Sequence, residues 1–312
     1  MDDFFQIAPE VSEALAEGRA VVALESTLVA HGLPWPVNLE TAMGAETAVQ
    51  EAGATPATFA IFGGKIRVGL TALELEHLAS AQSFMKAGRR DLSLAVSQKL
   101  DAATTVSATL WLAHRLGIGV MATGGLGGVH RGASTTFDIS TDLDELARAD
   151  GSLVICSGVK SILDVPATLD ALETRGVPVV GYQTDELPAF VTWSSGLRLE
   201  ARVDTPEEAA RLVLTHRRLG LPSALVLTQP VPREDALDPH AMDNALNAAL
   251  ETAENQRITG KGVTPFLLDR IKQTTEGQSL RANQSLILNN ARLAGTIAHT
   301  IAQAERKPDP LT

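Results

Sequence analysis

The chain alternates short apolar runs with longer amphipathic segments, and this order limits its possible folds more than any other feature. A short apolar run bounded by turn residues is typical of a buried strand, and the segments between the runs have helical periodicity. Because strand and helix follow each other repeatedly, we expect an α/β protein built in layers, with a largely parallel sheet. The predicted strands span residues 20–24, 58–62, 118–122, 153–155, 177–181 and 224–227.

The amphipathic segments predict helices, several of which begin after Asp, Ser, Thr or Pro and end at Gly. The Gly63-Gly64-Lys65 turn indicates one antiparallel hairpin, between residues 59–62 and 66–68. We find no linker rich in Pro, Gly or Ser, so we expect one domain over residues 1–304 and a frayed polar tail over residues 305–312. The predicted helices span residues 8–17, 37–52, 102–116, 142–149, 164–175, 205–219 and 238–254, followed by a C-terminal helical segment over 264–275 and 279–304.

The composition narrows the classes of partner. A chain of 312 residues with 45% hydrophobic residues can bury a large core, and its net charge of −11 would repel nucleic acid and anionic membranes. The single cysteine, Cys156, cannot form an internal disulfide, and we find neither a basic and apolar leader nor a run of about 18 apolar residues. We therefore expect a cytoplasmic protein that binds a small molecule.

Several polar residues directly follow the predicted strands. In open α/β sheets a ligand lies at the carboxyl ends of the strands, so these positions are the first candidates for a site. Lys160 follows one apolar run inside a Ser/Gly turn, and a half-buried amine there would favour the neutral form that attacks a sugar carbonyl to form an imine. A surface lysine with a buried stem is the alternative. The other positions are Glu25, Gly124 to Gly128, and Gln183 to Glu186.

Glu25 and the glycine-rich segment each allow two interpretations. A carboxyl at the rim of an apolar strand loses hydration and can carry a proton as a general acid, or it can simply cap the strand. Glycines let backbone amides approach an anion, so residues 124–128 could bind a phosphate or form a tight turn. They are not a dinucleotide fingerprint, because the spacing from Gly125 and Gly127 requires a glycine where His130 lies. His130 and Arg131 could supply groups to a phosphate.

The segment from Asp138 to Asp142 combines hydroxyls and carboxylates. Ser140 or Thr141 can cap a helix that begins near Asp142, whereas Asp138 precedes the cap. Carboxylates and hydroxyls without a His or Cys cluster favour a largely hydrated Mg²⁺ or Mn²⁺ over zinc, although a solvated acidic turn has the same composition.

Three further kinds of residue attract attention in the sequence. Lys86 could contact a phosphate or a polar base, although most exposed basic residues do neither. Asparagines are poor helix formers, so the last helix should use at least one of its asparagines in a tertiary hydrogen bond. Cys156 ends an apolar run without a local base, and we interpret it as inert packing. The asparagines of that helix are Asn283, Asn289 and Asn290.

Taken together, these segments resemble one family, the pseudouridine-5′-phosphate glycosidases. The similarity covers residues 8 to 304, nearly the whole chain, and its ordered matches are far more specific than any single glycine loop. The stretches that carry it are Ala23 to Thr27 with His31-Gly32, Gly64 to Ile66 with Val68 to Leu70, Gly124 to Asp142, Gly158 to Asp164, Thr184 to Glu186 with Pro188 to Phe190, Val263 to Phe266, and Asn289 to Ala291.

The resemblance implies a metal-dependent enzyme that reversibly cleaves the C–C glycosidic bond of pseudouridine 5′-phosphate to uracil and ribose 5-phosphate. It also implies an α/β/α fold and a homotrimer. By the same resemblance Lys160 is the lysine that forms the imine, Glu25 is the proton donor, and Asp138 is the ligand of one Mn²⁺. The implied substrate contacts are Lys86, the Val106 backbone, His130, Ser140, Thr141, Asp142 and Asn283.

Two other functions use the same residues. A lysine-dependent aldolase or lyase acting on another sugar phosphate would also need the lysine, the acid and a phosphate loop. A non-catalytic protein that binds a sugar phosphate would keep its affinity without Lys160. Incubation with uracil and ribose 5-phosphate separates the glycosidase from both.

Overall fold

The computed structural model describes residues 3–81, 83–258 and 263–306 of the chain. The strands formed by these residues belong to one mixed sheet. They are β1 (Phe5–Ile7), β2 (Val21–Leu24), β3 (Thr55–Phe62), β4 (Lys65–Val68), β5 (Met85–Ala87), β6 (Ala102–Thr104), β7 (Val120–Ala122), β8 (Leu153–Cys156), β9 (Val179–Tyr182), β10 (Ala201–Val203) and β11 (Leu225–Thr228).

The centre of the sheet is parallel, in the order β3-β2-β7-β8-β11-β9-β10. The long strand β3 continues beyond this parallel part. Its first half pairs with β2 in parallel, and its second half pairs antiparallel with β4 on one side and with β6 on the other. β1 extends the sheet from β4, and β5 extends it from β6, both in parallel.

Helices cover both faces of the sheet. The core on one side includes α2, α9, α10, α11 and α12, and the core on the other side includes α1, α4, α5, α7 and α8. The helices are α1 (Pro9–Ala16), α2 (Val37–Glu51), α3 (Ala72–Ser80), α4 (Leu92–Ser97), α5 (Val106–Arg115), α6 (Ala133–Thr136), α7 (Thr141–Leu146), α8 (Val165–Thr174), α9 (Pro206–Arg218), α10 (Pro239–Asn255), α11 (Val263–Thr274) and α12 (Gln278–Arg306).

The central strands are apolar on both faces because both faces are covered. In β8, Leu153 and Ile155 pack against the α2/α12 side, whereas Val154 and Cys156 pack against the α1/α5 side. All four residues are fully buried. A strand of this kind reads as a continuous apolar run, which is why the sequence pattern identified these strands. The three-layer α/β/α fold with a largely parallel sheet is therefore confirmed.

All six predicted strands are present, with their first residues shifted by at most three positions, and the antiparallel hairpin is confirmed. The prediction of a helix over 102–116 was wrong for its first residues, which form β6. Helix α12 extends to Arg306, so Glu305 and Arg306 are helical rather than frayed, and residues 307–312 lie outside the described residues. The elements absent from the prediction are β1, α3, β5, α4, α6 and β10.

Within the described parts of the chain, none of the helices combines the length and the apolarity needed to cross a bilayer.

Candidate active site

Glu25 follows β2 at the carboxyl edge of the sheet. Its side chain is almost fully buried, with 3% exposed. One carboxylate oxygen, Oε1, accepts a hydrogen bond from the Thr123 hydroxyl at 2.9 Å, and the other, Oε2, accepts one from the Thr27 hydroxyl. Two hydroxyl groups thus hold the carboxyl in one orientation, as a buried polar group requires.

Lys160 lies after β8 in the tight turn that begins at Ser157. The backbone of Gly158 has a positive φ of 77°, and a Cβ at this position would collide with the Pro188 carbonyl oxygen. Only glycine fits both conditions, so it fixes the path of the chain toward Lys160. The Lys160 backbone amide donates to the Leu126 carbonyl at 3.2 Å, and its side chain is half-buried, as the sequence predicted.

Asn290 of α12 joins the two loops that carry these residues. Its side chain is fully buried, and its Nδ2 donates to the Thr123 carbonyl at 2.9 Å and to the Ser157 hydroxyl at 3.1 Å. The prediction that an asparagine of the last helix makes a tertiary hydrogen bond is confirmed. The bond fixes the ends of β7 and β8 to the helical layer.

A cavity of about 400 Å³, which we call the polar chamber, opens next to Glu25 and Lys160. With one exception, the residues to which the resemblance assigned a role line it. Arg131, which we considered for a phosphate, is exposed and does not line it. The polar chamber brings together Glu25, Lys86, Val106, His130, Asp138, Ser140, Thr141, Asp142 and Lys160.

The first turn of α5 forms one wall of the polar chamber. Asp142 bridges this turn and the glycine-rich loop, because its carboxylate accepts hydrogen bonds from the Ser107 and Gly127 amides, both at 3.0 Å. The hydroxyls of Thr141 and Ser107 are 3.1 Å apart. The dipole of a helix favours negative charge at its N-terminus, and here the Asp142 carboxylate already accepts the Ser107 amide while the Thr105 hydroxyl accepts the Ala108 amide. Val106 is the first residue of this helix.

The glycines of the glycine-rich loop allow neighbouring side chains to pack closely against its backbone. A Cβ on Gly127 would lie 2.7 Å from the Asp142 carboxylate, and a Cβ on Gly125 would lie 2.7 Å from the Phe190 ring. The Gly127 amide already donates to Asp142. Of the two interpretations, the structure therefore favours the tight turn for Gly127.

A short hairpin places Asp138 against His130. The His130 amide donates to the Asp138 carbonyl at 3.0 Å, and the His130 Nδ1 lies 3.9 Å from the Asp138 carboxylate. Burial lowers the pKa of His130, Asp138 raises it, and the nearby Lys86 and Lys160 lower it further. Both lysines are therefore close enough to affect the charge of His130. Its lowered pKa means that His130 stays neutral down to a lower pH than an exposed histidine does.

Ser140 caps α7, since its hydroxyl accepts from the Asp142 amide at 3.2 Å. The Asp138 carboxylate is left outside this cap and is 47% exposed. Among the described residues, no group of three or more His, Cys, Asp or Glu side chains is placed to hold a metal ion. A single exposed carboxylate beside an imidazole fits a hard cation that keeps most of its water, and it does not fit a structural zinc.

A second cavity, which we call the apolar chamber, shares Glu25, Thr27, Lys86 and Lys160 with the polar chamber. Asn283 is the exception among the assigned residues, because it lines this second cavity. The two chambers thus meet at the lysine and the glutamate. The other residues of the apolar chamber are Leu28, His31, Gly32, Gly124, Gly125, Phe190, Leu268 and Ile287.

The segment from Gln183 to Glu186 does not join the site. It follows β9, which is separated from β8 by β11, and none of its residues lines either chamber. Asp185 instead pairs with Arg202 at 2.8 Å. Cys156 is fully buried, and burial raises the pKa of its thiol to about 12. Its interpretation as packing is thereby supported.

Thr27, Thr123 and Ser107 support the site but were missed in the sequence. A signal was present for two of them, since Thr27 lies two residues after Glu25 and Thr123 directly follows a predicted strand. Ser107 lies in a segment whose sequence indicates a helix and gives no sign of a functional role.

Known proteins are similar to this chain over nearly its whole length. Residues 10–300 match the model of a family described as "Indigoidine synthase A like protein". A pseudouridine-5′-phosphate glycosidase of Caldanaerobacter subterraneus subsp. tengcongensis is 50% identical over 298 residues, which cover 96% of this chain and 97% of the relative. The protein of that name from Geobacillus kaustophilus is 49% identical, with 97% and 100% covered.

Two solved structures share the whole fold. One is the prealnumycin C-glycosynthase AlnA in complex with ribulose 5-phosphate, with a TM-score of 0.90, 38% identity, and 98% and 99% of the two chains covered. The other is an indigoidine synthase A-like protein from Thermotoga maritima, with a TM-score of 0.87, 36% identity, and 96% and 97% covered. The chain therefore belongs to the family of the pseudouridine-5′-phosphate glycosidases and indigoidine synthase A-like proteins.

Proposed function

We propose that this protein is a pseudouridine-5′-phosphate glycosidase, which reversibly converts pseudouridine 5′-phosphate and water to uracil and ribose 5-phosphate. The observation that carries the proposal is the meeting of the two chambers at Glu25 and Lys160. A nucleotide with its phosphate on one side and its base on the other would place C1′ between these two residues. Relatives about 50% identical over nearly the full length bear this name.

The chemistry must break a carbon–carbon bond. An ordinary glycosidase protonates a heteroatom on the leaving group, and a C-glycoside offers none at that bond. The Lys160 nitrogen attacks C1′ while the C1′–O4′ bond breaks, and the electron pair of that bond takes a proton from Glu25 on O4′. The proton that the lysine nitrogen loses on attack replaces the one that Glu25 gave to O4′. The ribose is then open, and C1′ carries both the lysine nitrogen and the uracil.

Cleavage follows from the nitrogen that is now attached to C1′. C5 of the uracil gains a proton, the nitrogen lone pair forms a C=N bond, and the C1′–C5 electron pair restores the uracil ring. The nitrogen then gives up its remaining proton, which balances the proton added at C5. Water hydrolyses the imine to release ribose 5-phosphate and the free Lys160 amine. The steps consume one water for each nucleotide, as the reaction requires.

The phosphate of the substrate fits the polar chamber. The first turn of α5, the hydroxyls of Ser140 and Thr141, and Lys86 line the chamber together. Local groups of this kind are needed because the net charge of −11 would repel an anion at long range. His130, kept neutral by burial, can donate a hydrogen bond there without carrying charge.

The decisive experiment is the incubation of purified protein with uracil, ribose 5-phosphate and Mn²⁺. We expect pseudouridine 5′-phosphate as the product, and we expect Lys160→Ala to reduce its formation at least 10³-fold, since it removes the nucleophile. Borohydride with ribose 5-phosphate should give a reduced adduct on the Lys160 peptide by mass spectrometry. Lys65→Ala, at an exposed lysine of β4, is the matched control. Full activity of Lys160→Ala would reject the mechanism.

We also propose that Asp138 holds one divalent cation, with His130 beside it, in a largely hydrated site. When bound, such a cation supplies positive charge next to the phosphate. A chelator should abolish product formation, and added Mn²⁺ should restore it. Asp138→Asn should need at least tenfold more Mn²⁺ for half-maximal activity, whereas Asp144→Asn, an exposed acid of α7, should not. Unchanged activity in chelator would contradict the proposal.

The homotrimer implied by the resemblance is likewise proposed. Light scattering of the purified protein tests it against the 32.9 kDa mass of one chain.

A further inference from the structure

His31 carries a buried nitrogen that the proposed chemistry does not use. The residue lies in a short π-helix, Leu28–Gly32, and its Nε2 is buried without a hydrogen-bond partner among the described residues. Buried polar side-chain atoms are paired in most proteins, so an unpaired one on a residue that lines a cavity calls for an explanation. A π-helical turn is also frequent at functional sites.

The other ring nitrogen determines what Nε2 can do. Burial lowers the pKa of His31, Lys86 lowers it further, and a hydrogen bond to the Phe84 backbone raises it, as does Glu25. Since that bond favours the protonated ring, the ring donates to the Phe84 carbonyl, and the donor must be Nδ1 because Nε2 has no partner. In the neutral ring, Nε2 is then a hydrogen-bond acceptor.

The position of His31 relates this acceptor to the base of the substrate. His31 lines the apolar chamber but not the polar chamber. If C1′ lies between Glu25 and Lys160, and the phosphate occupies the polar chamber, the uracil bonded to C1′ must enter the apolar chamber. Phe190 and Leu268 offer apolar surface to a flat ring there, and Asn283 offers a carboxamide to its carbonyl groups.

We propose that Nε2 of His31 accepts a hydrogen bond from a ring N–H of the uracil. This inference rests on the proposed function. In a C-glycoside both ring nitrogens of the base carry hydrogen, whereas an N-linked pyrimidine has lost one of these donors. A buried acceptor on a residue that lines the apolar chamber remains unpaired when the donor is missing, and such sites discriminate strongly against analogues without the matching group.

The test measures the synthetic direction, in which uracil and ribose 5-phosphate bind as separate molecules. His31→Leu removes the acceptor and keeps an apolar side chain. We expect the KM for uracil to rise at least tenfold, while the KM for ribose 5-phosphate and the rate of borohydride trapping at Lys160 stay within twofold. His114→Leu, at an exposed histidine of α5, should change none of these quantities. A merely structural role would alter the sugar-phosphate readouts as well and would overturn the inference.

A complementary test changes the ligand. The unsubstituted protein should use either 1-methyluracil or 3-methyluracil at least tenfold less efficiently than uracil, and His31→Leu should lose that preference. His31→Gln, which offers an amide oxygen, should recover part of it and serves if the leucine variant does not fold. An unchanged KM for uracil, or an unchanged preference, would overturn the role of His31. If the unsubstituted protein makes no product at all, the proposed function itself fails.

Discussion

At the scale of single residues, the site depends on how Glu25 is held. Its carboxyl is buried, and each oxygen accepts from one threonine hydroxyl. A general acid must present its proton to one atom of the substrate, so its orientation matters as much as its chemistry. The backbone carbonyl of Thr123 also accepts a hydrogen bond from the Asn290 side chain. Thr123 and Thr27 are therefore positioning residues.

We expect Thr123→Val to lower kcat about tenfold, because the loss of one hydrogen bond to a buried group costs on the order of 1–3 kcal/mol. The KM for ribose 5-phosphate should change less than threefold, since Thr123 does not line the polar chamber proposed for the phosphate. Steady-state kinetics in the synthetic direction measures both. Thr47→Val, on the exposed side of α2, controls for the substitution itself. A kcat equal to that of the unsubstituted protein would show that Thr123 does not position Glu25.

Lys160 and Glu25 attracted attention in the sequence because Glu25 directly follows an apolar run and Lys160 lies in the turn after another. Such runs fix the sheet, and the sheet fixes where its carboxyl edge lies. The same reasoning included Gln183 to Glu186, which lie outside the site. Sequence order does not reveal that β11 enters the sheet between β8 and β9. That insertion moves the residues after β9 away from Lys160.

At the scale of elements, Asp142 joins α5, α7 and the glycine-rich loop. The carboxylate accepts two backbone amides from elements that are far apart in the sequence. An amide side chain could accept only one of these bonds, and its NH₂ group would face the other donor. The wall of the polar chamber depends on this one side chain.

Asp142→Asn should destabilise the protein by about 1–3 kcal/mol and should raise the KM for ribose 5-phosphate severalfold. Denaturant unfolding and initial-rate kinetics measure these effects. Asp144→Asn, in the same helix, is the control, because Asp144 is 58% exposed and pairs with Arg175 at the surface. An exposed ion pair contributes about 0–1 kcal/mol. Equal effects of the two substitutions would refute the role of Asp142.

The elements that escaped prediction have a physical reason in common. β5 and β6 have three residues each, and Ala102-Ala103-Thr104 lacks the large β-branched side chains that mark a strand. Alanine favours a helix, so the helix was predicted to begin too early. β6 forms where the second half of β3 and the strand β5 pair with it, and this is a tertiary effect. Lys86, on β5, is positioned by the same pairing.

At the scale of the whole molecule, half-buried titratable groups set opposing trends of stability with pH. Burial raises the pKa of Glu46 in α2, the Thr58 hydrogen bond lowers it, and Glu10 raises it. The folded protein therefore retains a proton that the unfolded chain releases above pH 4.5, and stability falls as the pH rises through this region. His31 and His130 have lowered pKa values, so their contribution is lost as the pH falls below 6.5.

The substitution Glu46→Gln separates the effect of Glu46 on the pH dependence of stability from the effect of the two histidines. Glutamine keeps an oxygen for the Thr58 hydroxyl, which donates to Glu46 at 2.5 Å, and it has no charge to bury. We expect a higher midpoint of thermal unfolding than in the unsubstituted protein at pH 7.5, and a difference that shrinks toward pH 4. Glu40→Gln, at an exposed position of α2, should not reproduce the gain. A constant difference across this range would exclude ionisation as the cause.

The hydrogen bond from Asn290 to the Thr123 carbonyl connects residues that are 167 positions apart. During translation the central strands therefore leave the ribosome long before the helix that fastens their loops. A nascent chain that ends just before Asn290 contains both Lys160 and Glu25. It still lacks the asparagine side chain that holds the loops after β7 and β8 in position. Competence for turnover should therefore arise late in synthesis, after most of the sheet has been made.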